Sequence, residues 1–447
     1  MRILLAFAGS RGDAQPGVLL GRELLGRGHD VTMAVSPNLV EFAERHGVPA
    51  VPFGLDSDVL LRTQRDDRRF RHPNPVQRVR AVLDLQRRGF VEAAADLLAV
   101  AGGHDLLVTG MAGEEAAAEV ARHQGVPLAA VHFFPIIPNG SVPVVPSGWG
   151  KRMPPTANRA GWRALTAARA RALAPCAGAF RESALAARRP GLGAPAYTAI
   201  QAYDAALFPG LADELCGVPF TGFPVPADNG AAQHGPQWPA PGTSAVEERS
   251  TGLGAELFEW LIAGPAPVYA GFGSMPVAEP VALESLVREV GRRLGRRILL
   301  VGPMFRGRIG DQLAVVDQVD HRAVLPLCDA AVHHGGAGTT AAVLRAGVPS
   351  VICSVQADQP YWGRQLEALG LGATAPFAGL TANRLERLLI RATTPEVRLR
   401  AAAYGARFRD DGVQRAADVV ESLSPERPRP VLDTGEPSAS TMIGGAR

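Results

Sequence analysis

Residues 332–370, VHHGGAGTTAAVLRAGVPSVICSVQADQPYWGRQLEALG, hold the densest set of chemistry-bearing residues in the chain. His333 and His334 stand at the end of a predicted strand, and Gly335-Gly336-Ala337-Gly338-Thr339-Thr340 leads into a helix. Glycines let the backbone approach a ligand closely, and free N–H groups at the positive end of the helix dipole point at anions. A pyrophosphate fits such a site. Asp358-Gln359 follows the next predicted strand, where a carboxylate and an amide can bond adjacent hydroxyls of a sugar. A glycine-rich turn alone also serves close helix–strand packing, so the signal lies in the ordered combination. A second group, Gly9-Ser10-Arg11-Gly12-Asp13, sits at the carboxyl end of the first predicted strand, where open α/β sheets place their ligand crevice.

The elements that must position these groups are legible in the same way. A strand over 3–8, a polar turn over 9–13, a helix with an apolar stripe of Val18, Leu19, Leu24 and Leu25, and a strand over 31–35 make one βαβ unit. A strand over 106–109, a helix over 114–124 and a strand over 127–132 repeat it, which implies a parallel, doubly wound sheet. Residues 228–251 are rich in Pro, Gly, Ala and Ser without a sustained apolar period and read as a linker. Beyond them a second α/β series begins, with strands over 268–272, 297–301, 314–316, 330–333 and 350–354. The expected organisation is therefore a domain over 1–227, the linker, a second domain over 252–423 and a disordered tail over 424–447. The charge run 61–75 reads as a solvated, mobile loop, with closure over a bound molecule or contact with an anionic surface as its alternative.

Composition narrows the function class. A chain of 447 residues exceeds what one core usually supports. Its net charge of +3 is far short of the clustered positive charge of a nucleic-acid binder, so none is expected as a partner. Cys176, Cys216, Cys328 and Cys353 lie far apart, which favours neither zinc nor a disulfide framework; all four read as buried thiols of a cytoplasmic protein. The apolar run at the start is short enough to be a first strand, and no later run is long enough to cross a bilayer, so any membrane contact is expected to be peripheral.

The ordered pattern HHGGAGTT, RAGVPS and ADQPYW resembles the donor-binding signature of the bacterial UDP-glycosyltransferase family, particularly its antibiotic-, sterol- and glycolipid-modifying members, and the likeness extends from GSRGDAQP to the last predicted helix. The resemblance implies the GT-B fold, two Rossmann-like parallel-sheet domains facing a cleft. It implies that His334 bonds the donor's diphosphate with help from Gly336, Gly338 and Thr339, that Asp358 and Gln359 hold the sugar, and that the backbone of Val319 meets the nucleobase. Ser274, in Gly271-Phe272-Gly273-Ser274, would be a further phosphate contact, although Ser is also a preferred helix cap.

For Asp13 the expected role is the general base. An acceptor hydroxyl attacking the anomeric carbon must lose its proton, and a positioned carboxylate can take it. Relatives often carry His here with an Asp after a later strand, whereas an antibiotic-glycosyltransferase subset has the SRGD found in this chain. Asp105-Leu106-Leu107-Val108-Thr109-Gly110 has no carboxylate at the strand's end, in keeping with Asp13 acting without a dyad. Capping of the next helix is Asp13's alternative role. Ser10 is a lesser candidate for the donor phosphate. His132, in Val131-His132-Phe133-Phe134-Pro135, is a candidate for the acceptor side, with a buried structural role as its alternative. The loops 133–138 and 142–155 suit an apolar aglycone.

The expected activity is inverting transfer from a UDP- or dTDP-sugar, as co-substrate rather than cofactor and without a metal, to a hydroxyl of an apolar polyketide, terpenoid, glycolipid or lipopeptide. Val301-Gly302-Pro303 lacks the Trp that many relatives carry after Val-Gly, which leaves UDP and dTDP both open. The rivals are a nucleotide-sugar epimerase and a non-catalytic helper of a glycosyltransferase.

Overall fold

The computed structural model describes residues 1–72, 74–146, 150–184, 195–226, 245–273 and 279–423. Two sheets carry the chain. The first runs β1 (Arg2–Phe7), β2 (Asp30–Val35), β3 (Ala50–Pro52), β4 (Leu106–Gly110), β5 (Leu128–His132) and β6 (Tyr197–Gln201), in the spatial order β3-β2-β1-β4-β5-β6 and parallel throughout. The second holds β7 (Val268–Gly271), β8 (Ile298–Val301), β9 (Arg308–Ile309), β10 (Leu313–Val316), β11 (Ala330–His333), β12 (Ser350–Ser354) and β13 (Gly372–Pro376). Its order is β13-β12-β11-β7-β8-β10-β9, with only β9 antiparallel to its neighbour. Strands such as Ile298–Val301 and Ser350–Ser354 are buried along their whole length, which is why they read as continuous apolar runs rather than alternations.

Chain order reverses between β1 and β4 in one sheet and between β7 and β11 in the other. Loops leaving the carboxyl ends of adjacent strands at such a reversal run to opposite faces and open a crevice. The turn before Asp13 leaves β1, and the glycine-rich turn after His334 leaves β11. Both predicted site segments thus lie at a crevice for the same topological reason.

Several local expectations are corrected. The stretch 61–75 is mostly helical: it spans the end of the helix Ser57–Asp66, a turn over Arg68–Arg71 and the start of the helix Pro75–Ala101. Arg69 pairs with Asp67 within the stretch at 2.8 Å and with Asp84 of the helix that follows at 2.9 Å. The linker expectation falls largely on residues 228–244, outside the described residues, but from Ala245 the same segment is already the helix Ala245–Ile262. The tail 424–447 also lies outside the described residues. Among the cysteines, Cys328 and Cys353 are buried as expected, whereas Cys176 is half-buried and Cys216 exposed. No helix among the described residues is long and apolar enough to cross a membrane.

The chain's last described helix, Gly412–Ser422, was expected with the second domain. It packs instead against the helix Arg11–Gly26 of the first, burying Ala416, Ala417 and Val420 in the core under β1 and β2. Arg27 secures it, donating from Nη1 to Asp418 and Glu421, both at 2.7 Å, and from Nη2 to the carbonyl of Gln414 at 3.0 Å. The physical reason is the apolar stripe of this helix, whose complement lies on the first sheet's covering helices. Val420→Ala should therefore lower the stability of the first domain by about 2 kcal/mol, through lost burial and a residual cavity, as read by urea unfolding.

Candidate active site

The two crevices face each other across a cavity of about 1410 Å³. From the first half it is lined by Ser10 and Asp13, and from the second by Val319, His334, Gly336, Gly338, Thr339, Asp358 and Gln359. The fold thus brings together every predicted site residue except two. Ser274 lies outside the described residues. His132 is absent from the cavity wall: it is buried in a polar chain in which Tyr197 donates to Glu114 at 2.6 Å, Glu114 meets His132 Nε2 at 2.9 Å, and Gln201 meets His132 Nδ1 at 3.2 Å. The expectation of an acceptor-side His132 is corrected accordingly, because both ring nitrogens are engaged by the core. Of the two predicted acceptor loops, Phe133, Phe134 and Ile136 line the cleft, whereas Val142, Pro143, Val145 and Pro146 line a separate cavity of about 300 Å³.

On the second-domain wall, the helix Ala337–Arg345 starts at Gly336 with no side chain capping it, so its leading N–H groups are left for a ligand. His334 lies against that terminus. Its ring packs so closely that a Cβ on Gly336 would come within 2.5 Å of Nε2, which is why glycine stands there. Burial pushes the His334 pKa down to about 4, and its Nδ1 is buried without a partner among the described residues. A neutral ring with an unpaired nitrogen beside uncapped backbone donors is suited to an anionic oxygen. His333, one residue earlier, points into the core, accepting from Gly335 N at 3.2 Å and meeting Ser350 Oγ at 3.2 Å. Its part is structural.

Asp358 is held by a feature that sequence reasoning passed over. Trp362 Nε1 donates to Asp358 Oδ2 at 2.9 Å, and Trp362 is itself fully buried. The signal was present, since the two residues are four apart and so share a helix face. Burial, with a smaller push from the Asp13 carboxylate across the cleft, raises the Asp358 pKa to about 6 against the pull of the Trp362 bond. Gln359 spends its carbonyl on the turn, accepting from Val355 N at 2.8 Å and Gln356 N at 3.1 Å. That turn contains Ala357 at φ 53°, a left-handed conformation costly for a residue with a Cβ, and the Gln359 bonds hold it.

Asp13 is the third residue of its helix and completes a capping box with Ser10. Its Oδ2 accepts from Ser10 N at 2.8 Å and from Ser10 Oγ at 2.9 Å. Gly9 adopts φ 120°, and a Cβ there would strike Oδ2 at 2.5 Å. Burial raises the Asp13 pKa, and the Ser10 bonds pull it partly back. Capping uses one oxygen. No other described residue donates to the second, so the box orients the carboxylate without exhausting it.

Comparison with known proteins follows the same division of the chain. Residues 3–125 match the family described as glycosyltransferase family 28 N-terminal domain, and residues 305–423 match the erythromycin biosynthesis protein CIII-like C-terminal domain. The chain is 35% identical to an uncharacterised glycosyltransferase of Mycobacterium tuberculosis, over 95% of this chain and 99% of that one. It is 30% identical to the vancomycin aglycone glucosyltransferase of Amycolatopsis orientalis, over 96% and 99%. Among solved structures it resembles the glycosyltransferase of kitacinnamycin, with a TM-score of 0.65 and 23% identity over 95% and 99% of the two chains. It also resembles the glycosyltransferase VinC in complex with dTDP, with a TM-score of 0.61 and 21% identity over 95% and 99%.

Two predictions test the site's physics. Asp358→Asn should stabilise the empty protein near pH 7.5 by on the order of 2 kcal/mol, because ionising a buried carboxyl opposes folding wherever the pH exceeds its raised pKa. The advantage should shrink as pH falls from about 6 to about 4, where both folded and unfolded wild-type carboxyls become protonated; urea unfolding across that window reads it. Gly336→Ala should displace the His334 ring and weaken dTDP or UDP binding by about tenfold or more without unfolding the chain, as read by calorimetry.

Proposed function

Because this chain belongs to the bacterial glycosyltransferases of the GT-B fold, we propose that it transfers a sugar with inversion from a UDP- or dTDP-sugar to a hydroxyl of a largely apolar small molecule. The observation that carries the reading is the single cleft in which Asp13 of one domain faces His334, an uncapped helix terminus and Asp358 of the other. The diphosphate lies against the helix N-terminus, bonded by His334 and the backbone of Gly336, Gly338 and Thr339, with Ser10 and Ser274 as further contacts. Asp358 and Gln359 hold the sugar, and the backbone of Val319 meets the base. dTDP in the related VinC structure supports a nucleoside diphosphate, and the aglycone named for the Amycolatopsis relative supports a natural-product acceptor.

The acceptor oxygen attacks the anomeric carbon from the Asp13 side while the bond to the diphosphate oxygen breaks on the opposite side. One displacement with nucleophile and leaving group on opposite faces inverts the anomeric configuration. Asp13 takes the hydroxyl proton as the new bond forms, and its raised pKa makes it a better base than an exposed carboxylate. The leaving diphosphate gains charge, which the preorganised donors at the helix terminus and His334 stabilise more in the transition state than in the ground state. Phe133, Phe134, Phe70 and Leu173 give the acceptor an apolar chamber.

Asp13→Asn tests the base. The amide oxygen can still accept from Ser10, so fold and donor affinity should be kept while single-turnover transfer falls by roughly a hundredfold or more. Near-equal rates at saturating donor and acceptor would leave Asp13 with its capping role alone.

A further inference from the structure

Arg11 is the first residue of the helix Arg11–Gly26, directly after the cap Ser10, and it lines the cleft. Helix electrostatics oppose a cation there, because the leading turn already carries the positive end of the dipole. A carboxylate would compensate, and Arg11 has none. Asp13 turns its Oδ2 back to Ser10, and among the described residues no acidic side chain or hydrogen-bond acceptor reaches the guanidinium. Its neighbours are the ring of Phe42, whose centroid lies 5.0 Å from Cζ, and a second cation, Arg45. Burial, and then the like charge of Arg45, lower the Arg11 pKa. A ring contact steadies a guanidinium without using its N–H donors. Arg11 is therefore held in place, left unpaired, and set where its charge works against the helix.

That charge is felt across the cleft. His321, two residues after Val319, lines the second-domain wall and is fixed by Tyr269, whose hydroxyl lies 2.9 Å from Nε2. Burial depresses the His321 pKa, Asp320 opposes the shift, and Arg11 adds to it. Arg11 thus stands toward the nucleoside end of the donor, on the side of Val319 and His321. Resting on the glycosyltransferase reading above, we infer that Arg11 is a donor-binding residue supplied by the first domain, its guanidinium taking the phosphate next to the nucleoside. The anion gives Arg11 the partner that the helix end lacks, and its N–H donors meet the phosphate oxygens. An apolar acceptor offers nothing to this charge, whereas the nucleotide is the anionic co-substrate. The nucleoside and the other phosphate contacts belong to the second domain, so this one bridges the two.

Calorimetry on the full chain with dTDP, UDP and their monophosphates tests this, together with urea unfolding of the empty protein. Arg11→Met should bind the preferred diphosphate and its monophosphate about tenfold more weakly, the scale of a hydrogen bond between charged groups. A monophosphate too weak for direct titration is read by its displacement of the diphosphate. Arg11→Lys, which keeps the charge, should recover part of the loss. The empty Arg11→Met protein should unfold at the same urea concentration as wild type or a higher one, since a cation has left the positive end of a helix. Affinities within about twofold of wild type, a loss confined to the diphosphate, or a loss accompanied by a lower unfolding midpoint would overturn the assignment. Failure of dTDP and UDP to bind wild type would instead overturn the functional reading beneath it.

Discussion

Everything at the cleft depends on the packing of one helix, Gln359–Ala368, against the opposite domain. Its Trp362 is buried among Phe134, Tyr203, Phe208 and Phe223, with ring centroids 5.3 to 6.3 Å away. Its Tyr361 lies 4.8 Å from Phe134 and donates to the carbonyl of Val144 at 2.7 Å. Aromatic side chains bury large areas with few rotatable bonds, so such a cluster fixes two bodies in register at small entropic cost. Because Asp358 precedes that helix and is bonded to Trp362, the same contact that joins the domains also aims the carboxylate.

The cleft is electrostatically unfinished without ligands. His334 is held neutral with a buried nitrogen unpaired among the described residues, Asp358 is buried with Trp362 donating to it, and Asp13 faces it across the gap. Each is a cost to the fold of the kind that a preorganised site carries. The capping box at Ser10 and Asp13 shows the same economy, one carboxylate both closing a helix and facing the reaction space. Capping leaves Asp13 available to the cleft because it occupies one oxygen, Oδ2.

Family membership gives the reaction its class and leaves the apolar wall of the cleft undescribed. Aromatic residues from the β5 loop, the helix Pro75–Ala101 and the helix Pro155–Ala184 line the first-domain side of this cavity.

What the sequence determined by itself was local: the βαβ periodicity, the strand–glycine turn–helix order around His334, and the strand-end turn carrying Asp13. Short-range chemistry dictates these, since burial of a parallel strand shows as an apolar run and an anion site needs adjacent glycines and a helix start. The tertiary structure decided what depends on residues far apart in the chain. It returned Gly412–Ser422 to the first domain, because the complement of its apolar stripe lies some four hundred residues earlier on the helix Arg11–Gly26. It turned His132 into the core, because Glu114 and Gln201 meet its ring there. It placed Arg169 beside Glu115 through the packing of two helices that no spacing links. A pattern of one or two turns can be read from the order of residues, whereas a contact between distant segments exists only once the chain has closed on itself.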